Sequence, residues 1–79
     1  MKTVRYTATA IKTLRTHWSE AARIRAKIAR YAETGAGDVK ALVGSSYLRL
    51  RIGDYRAILS EGEAEILVIR IGHRGDVYD

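Results

Sequence analysis

The strongest constraint on the fold is one change of hydrophobic period around Thr34-Gly35-Ala36-Gly37-Asp38. Before this segment the apolar residues recur at helical spacing, and after it they alternate as they do in β-strands. The chain has 79 residues and no Pro, and we find no repeat or linker in it. This pattern predicts an α+β fold, with residues 1–79 forming a single domain.

The part before the glycines is predicted to hold one strand and two helices. Residues 2–6 alternate as a short strand. An amphipathic helix is predicted from about Thr9 to His17. Ser19 is the expected N-cap of a second helix, which should end near Glu33. The two helices are expected to form an antiparallel hairpin.

The part after the glycines is predicted to be a meander of three strands. These strands cover Tyr47–Ile52, Tyr55–Ser60 and Ala64–Ile71, with short turns between them. The last strand is the most apolar and is expected to be central, whereas the pattern of Val39–Val43 leaves its structure undecided. We therefore expect a small twisted antiparallel sheet with the N-terminal helical hairpin packed on one face.

Composition excludes several classes of site. The chain has no Cys, so it cannot form a disulfide, a thiolate zinc site or a cysteine nucleophile. His17 and His73 cannot make a zinc site by themselves, so no metal or cofactor is expected. No apolar run approaches the ~18 residues of a membrane span, and no secretory signal is evident. A cytoplasmic location without membrane contact is the resulting expectation.

The charge of the chain favours a polyanionic partner. Fourteen Lys and Arg against nine Asp and Glu give a net charge of +5 and a pI near 9.9. Residues 1–34 carry eight basic and two acidic side chains, a net charge of +6. Arg23 and Arg30 of the second predicted helix are therefore candidates for RNA contact. A merely solvated helix surface is the alternative interpretation.

Three arginines are predicted to share one face of the sheet. Alternation along Tyr47–Ile52 puts Arg49 and Arg51 about 7 Å apart, opposite the aliphatic residues. A hairpin at Gly53-Asp54 would bring Arg56 beside them. Like charges on neighbouring strands repel, which favours an anionic partner for this face. Arginines on the solvated face of an antiparallel sheet are the alternative.

The end of the sequence holds three groups suited to RNA cleavage, which are His73, Arg74 and Tyr78. Attack by the 2′-OH needs a base, positive charge for the phosphorane and an acid for the leaving oxygen. A free phenol titrates near 10 and is a poor base unless cations lower its pKa. An imidazole titrates closer to neutrality, so the identity of the base stays open. Packing or solvation of these side chains is the simpler alternative for each.

Two segments carry a resemblance to a known family. The segments Tyr47–Arg56 (YLRLRIGDYR) and Ile69–Tyr78 (IRIGHRGDVY) resemble the "LRVGDYR" and "VGHRRDVY" signatures of the RelE branch of the RelE/ParE toxin superfamily. The order of strand, helical hairpin and sheet extends the resemblance over nearly the whole chain. Gly75 departs from the pattern, because many relatives have Arg there.

The resemblance implies a RelE-like microbial RNase fold and a toxin of a type II toxin–antitoxin system. The implied activity is that of an mRNA interferase, a metal-independent endoribonuclease that cuts mRNA in the ribosomal A site and inhibits translation. Its partners would be a cognate antitoxin, the mRNA and ribosomal RNA. The alternatives are a ParE-like toxin that inhibits DNA gyrase without nuclease activity, and a non-catalytic RNA-binding module.

The resemblance also implies roles for individual residues. Arg49 and Arg51 match the basic pair of the family's strand and would bind RNA. Arg56 and Arg74 match the arginines that contact the scissile phosphate. Two further matches concern proton transfer: Tyr78 aligns with a tyrosine that stacks on a base or moves a proton, and His73 with a Lys or catalytic His.

Overall fold

The computed structural model describes residues 1–73 and has an α+β architecture, as predicted. Two helices pack on one face of a five-stranded sheet whose strand order is β1-β5-β4-β3-β2. The strand β1 runs parallel to β5, and the other neighbouring pairs are antiparallel. The elements are β1 (Thr3–Tyr6), α1 (Ala8–Thr16), α2 (Trp18–Thr34), β2 (Asp38–Ala41), β3 (Leu48–Ile52), β4 (Tyr55–Glu61) and β5 (Glu65–His73).

The segment that the sequence left undecided forms an edge strand. β2 pairs with β3, with Val39 opposite Leu50, so four strands follow the helices rather than the three expected. β5 was expected to be central; it lies between β1 and β4 and is hydrogen-bonded on both sides, whereas the middle strand of the five is β4. The expectation of an antiparallel sheet is wrong in one respect: the sheet is mixed, because β1 runs parallel to β5. β2 is the strand beyond the arginine-bearing β3.

The helix boundaries follow from local capping. α1 begins after Thr7, whose hydroxyl oxygen accepts a hydrogen bond from the backbone N–H of Ala10 at 3.1 Å. α2 follows almost at once and has His17 as its N-cap, so the prediction of Ser19 as N-cap is wrong. Ser19 lies inside the helix because the α1–α2 connection is only one residue long. Gly35 ends α2 in the left-handed conformation, with φ of 77°, as expected of this glycine.

The hydrophobic core lies between the two helices and one face of the sheet. The register of β3, β4 and β5 puts most of the aliphatic residues of the three strands on that face, whereas Ile58 lies on the opposite one. Burying one such side chain contributes about 1.5–3 kcal/mol, so the alternation of these strands decides which face the helices cover. The fully buried members are Ile24 and Ile28 from α2 and Leu50, Ile52, Leu59, Ile66 and Val68 from the strands.

No helix within residues 1–73 is long and apolar enough to span a membrane.

Candidate nucleic-acid interface

The sheet face opposite the helices carries a cluster of cations. Arg51 lies directly opposite Arg56 across the β3–β4 pair. Two residues along each strand, Arg49 is opposite Ile58, and Ile58 is in turn opposite Arg70 of β5. Alternation brings Arg49, Arg51 and Arg56 to one face because their strand neighbours are in the core. A register shift at Ile58/Leu59 adds Arg70 to this face, although Val68, two residues earlier on β5, is in the core. We call this surface the arginine face; its cations are Lys40, Arg49, Arg51, Arg56 and Arg70, and the carboxylate of Asp38 lies opposite Arg51 on β2.

Arg56 is held against the turn that joins β3 and β4. Its Nη1 donates hydrogen bonds to the carbonyl oxygens of Gly53, at 3.0 Å, and Tyr55, at 3.1 Å. The residue is only 5% exposed. Two carbonyl acceptors fix the plane of the guanidinium, so Arg56 has little orientational freedom left to lose when it binds an anion.

Arg49 is also buried, with 7% of its surface exposed, whereas Arg51 beside it on β3 is exposed. Arginine is rarely buried without a compensating interaction. Two buried guanidinium groups on the side of the sheet away from the helices concentrate positive charge where the local dielectric is low. Such a surface is suited to binding a phosphodiester.

His73 lies on the other side of the sheet. It is the strand partner of Tyr55, and its ring meets the Tyr55 ring edge to face at a centroid distance of 5.3 Å. The Tyr55 ring packs in the same way on His17, 5.3 Å away, and its hydroxyl is 3.2 Å from His17 Nδ1. The structure therefore does not bring His73 together with Arg56. Sequence reasoning missed the two contacts of Tyr55, which no local pattern signals.

The remaining predicted site residues fall into two groups. Arg74 and Tyr78 lie outside the described residues. Arg23 and Arg30 lie on α2, which packs on the face opposite the arginines, and line a groove at the β3 side of that helix. Sequence reasoning did not single out Lys27, which lines the same groove.

The largest pKa shifts within residues 1–73 lie away from the arginine face. The Tyr31 hydroxyl donates a hydrogen bond to Glu61 Oε1 at 2.6 Å, and Lys2 Nζ is 2.6 Å from Glu61 Oε2. Burial, reinforced by the Glu61 carboxylate, raises the pKa of Tyr31 to about 12. The hydrogen bonds from Lys2 and Tyr31 lower the pKa of Glu61. These contacts join the N-terminus, α2 and the end of β4, so we assign them a structural role.

The next question is whether residues 1–73 could bind a metal ion. Residues 1–73 contain no group of three or more His, Cys, Asp or Glu side chains placed to hold a metal ion. The charged groups of the arginine face are guanidinium groups and one ammonium, which bind and orient anions, and the carboxylate of Asp38.

The sequence of this chain matches a known protein family. The family model described as the ParE toxin of the type II toxin–antitoxin system, parDE, matches residues 4–78. The chain belongs to the RelE/ParE toxin superfamily. It is a toxin of a type II toxin–antitoxin system, as the two sequence segments predicted. No curated protein sequence matches it.

Solved structures of RelE-like toxins have the same fold. A chain of the archaeal RelE–RelB complex from Pyrococcus horikoshii OT3 superposes with a TM-score of 0.77 at 22% identity, over 96% of this chain and 98% of that one. A chain of the RelB–RelE complex from Methanococcus jannaschii gives a TM-score of 0.70 at 25% identity, over 95% of each chain. YafQ from E. coli BL21(DE3) gives 0.74 at 10% identity over the whole of both chains. This superfamily member therefore has the RelE-like fold.

Proposed function

We propose that this toxin is a ribosome-dependent mRNA endoribonuclease. The observation that carries the proposal is the arginine face, where Arg51 and Arg56 are direct cross-strand partners and Arg49 lies on the same face. Three guanidinium groups on one face suit a phosphodiester that gains negative charge during cleavage. The RelE–RelB and YafQ structures, which share the fold, support the same assignment.

The proposed reaction needs no metal ion. The 2′-oxygen attacks the adjacent phosphorus, an O2′–P bond forms, and the P–O5′ bond breaks. The products are a 2′,3′-cyclic phosphate and a 5′-hydroxyl. Arg56 and Arg74 contact the phosphate and stabilise the charge of the phosphorane, and Arg49 and Arg51 bind the neighbouring RNA backbone. Of the two candidate bases, His73 lies across the sheet from Arg56, so Tyr78 is proposed to accept the 2′-hydroxyl proton, and an acid returns a proton to O5′.

The proposed partners follow from the same assignment. A cognate antitoxin would bind the toxin, because similar chains occur in RelE–RelB and DinJ–YafQ complexes. The substrate would be mRNA in the ribosomal A site, and Arg23 and Arg30 would contact RNA during docking. We propose that residues 1–79 act as one toxin domain in the cytoplasm, where translating ribosomes are found.

Cleavage of a defined message tests the proposal. Purified toxin is added to ribosomes stalled on an mRNA with a known codon in the A site, and the 5′ ends are mapped by primer extension. We expect cuts within the A-site codon that depend on the ribosome. The cuts should persist when EDTA removes transition-metal ions while excess Mg²⁺ keeps the ribosomes intact. Arg5→Ala is the control for substitutions on the arginine face, because Arg5 lies on the distant strand β1 and pairs with Glu65. Intact mRNA with active wild-type protein would refute the nuclease assignment.

The ParE family match favours one second candidate, inhibition of DNA gyrase. That activity would block supercoiling of relaxed plasmid by purified gyrase and leave translated mRNA intact. The same protein preparation is therefore tested in a supercoiling assay. Loss of supercoiling without mRNA cleavage would replace the nuclease assignment by the ParE-like one.

A further inference from the structure

A second basic surface lies at the junction of α2 with the β3–β4 turn. It is a groove of about 520 Å³, which we call the α2 groove. Four of its side chains are cationic and one is a carboxylate, so a binding site there would have a net positive charge. The charged residues are Arg23, Lys27, Arg30, Arg51 and Asp38.

The three cations of α2 share one flank of the helix. Arg23, Lys27 and Arg30 are spaced by four and then three residues, which brings their side chains to adjacent positions. Like charges at this spacing destabilise a helix. Glu20 lies 3.4 Å from Arg23 Nη2 and offsets part of this repulsion. An anion bound between the three cations would offset more of it.

Gly53 connects the α2 groove to the arginine face. A Cβ atom at Gly53 would lie 2.8 Å from Arg23 Nη1, so glycine lets the Arg23 guanidinium lie directly against the turn. The carbonyl oxygen of the same Gly53 accepts the hydrogen bond from Arg56. Two guanidinium groups, one from each face of the sheet, therefore contact one residue. Arg51 adds to the continuity, because it lines the groove and is the strand partner of Arg56.

We propose that the α2 groove binds a phosphodiester of RNA while the arginine face binds another. This inference rests on the proposed nuclease function and adds to it a second backbone contact at the β3–β4 turn. RNA is favoured over an acidic protein segment because the groove is continuous with a surface already suited to phosphate. The message and the ribosomal RNA present the same phosphodiester chemistry to the groove, and the experiment below distinguishes between them.

A matched pair of lysine substitutions tests the groove. Lys27→Gln removes a groove cation, and Lys12→Gln removes the same charge from an exposed position on α1. Binding is measured by fluorescence anisotropy on a 2′-O-methyl RNA oligonucleotide, which cannot be cleaved by 2′-OH attack, and by cosedimentation with ribosomes. Losing one phosphate contact reduces the slope of log K against log salt by about 0.7, which is a factor of about five per decade of salt. We expect this change for Lys27→Gln and not for Lys12→Gln.

A matched pair of glycine substitutions tests the geometry without changing charge. Gly53→Ala would displace the Arg23 guanidinium, whereas a Cβ at Gly44 meets no atom within 4 Å. Both glycines have positive φ, of 59° and 78°, so the two variants share the same kind of backbone cost. We expect Gly53→Ala to weaken RNA binding and Gly44→Ala to leave it unchanged.

The outcomes separate this inference from the proposed function. Weaker binding of the groove variants to the oligonucleotide would identify the message as the ligand, and weakening on ribosomes alone would identify ribosomal RNA; both support the groove. Equal binding of Lys27→Gln and Lys12→Gln, with normal cleavage by the wild type, would overturn the groove and leave the nuclease intact. Loss of antitoxin affinity with unchanged RNA affinity would also overturn it. A wild type that neither binds nor cuts RNA would refute both.

Discussion

Arg56→Ala separates a role in cleavage from a role in folding. The substitution removes two hydrogen bonds to the carbonyls of Gly53 and Tyr55, each contributing ~0.5–1.5 kcal/mol. It also relieves repulsion by Arg51, the cross-strand partner, which opposes this loss by ~0.2–1 kcal/mol. From these two effects, the free energy of unfolding should fall by about 1–3 kcal/mol. A domain with ~5–15 kcal/mol of stability stays almost fully folded after such a loss.

Cleavage should fall much further. Loss of one preorganised contact to the transition state costs about 10²–10³-fold in rate, which the small unfolded fraction of Arg56→Ala cannot explain. The measurements are urea unfolding and single-turnover cleavage on programmed ribosomes, with Arg5→Ala as the control of equal charge. A rate that decreases only in proportion to the folded fraction would show that Arg56 merely supports the turn, and the reasoning from the arginine face would be wrong.

Three further predictions concern the core, the Glu61 contacts and the proton acceptor. Leu59→Ala, at a fully buried position, should lower the free energy of unfolding by ~2–5 kcal/mol in urea titrations. The folded-state pKa of Glu61 is lowered, so its stabilising contribution should be lost as the pH falls below about 4.5. The folded-state pKa of Tyr31 is raised to about 12, so its contribution should be lost as the pH rises from 10 towards 12. Glu61→Gln should weaken the acid-side dependence in unfolding measured against pH, and an unchanged profile would contradict the assignment. Tyr78→Phe should reduce single-turnover cleavage ~10²-fold if the phenol transfers a proton, whereas His73→Gln should leave the rate and its pH profile nearly unchanged, because His73 lies across the sheet from Arg56.

Local periodicity was sufficient for the elements that form the arginine face. β3 alternates between aliphatic and basic residues. Because Leu50 and Ile52 are buried in the core, Arg49 and Arg51 must lie on the opposite face of the strand. The edge strand β2 was not predictable in this way. Only Val39 of its four residues is even half-buried, so the strand has no hydrophobic alternation from which it could be predicted.

Features that depend on how elements pack could not be predicted from sequence. The N-cap preference of Ser19 was outweighed by the short α1–α2 connection, which places His17 against Tyr55. The α2 groove likewise requires Arg23 to meet Gly53 from another element. Each partner is ordinary in its own segment: a basic residue on a helix surface and a glycine in a hairpin turn. Only the docking of α2 beside β3 gives them a joint role.

Membership of the superfamily does not decide between the two candidate functions, because one fold can carry different sites. The two candidate functions differ in the type of cationic side chain that each requires. A surface that docks on a protein by charge alone tolerates Lys in place of Arg, whereas a phosphorane is best matched by the planar fork of a guanidinium. The carbonyls of Gly53 and Tyr55 fix that fork at Arg56, beside Arg51, whose other strand partner is Asp38. A guanidinium whose orientation is fixed in this way is more consistent with transition-state stabilisation than with docking by net charge.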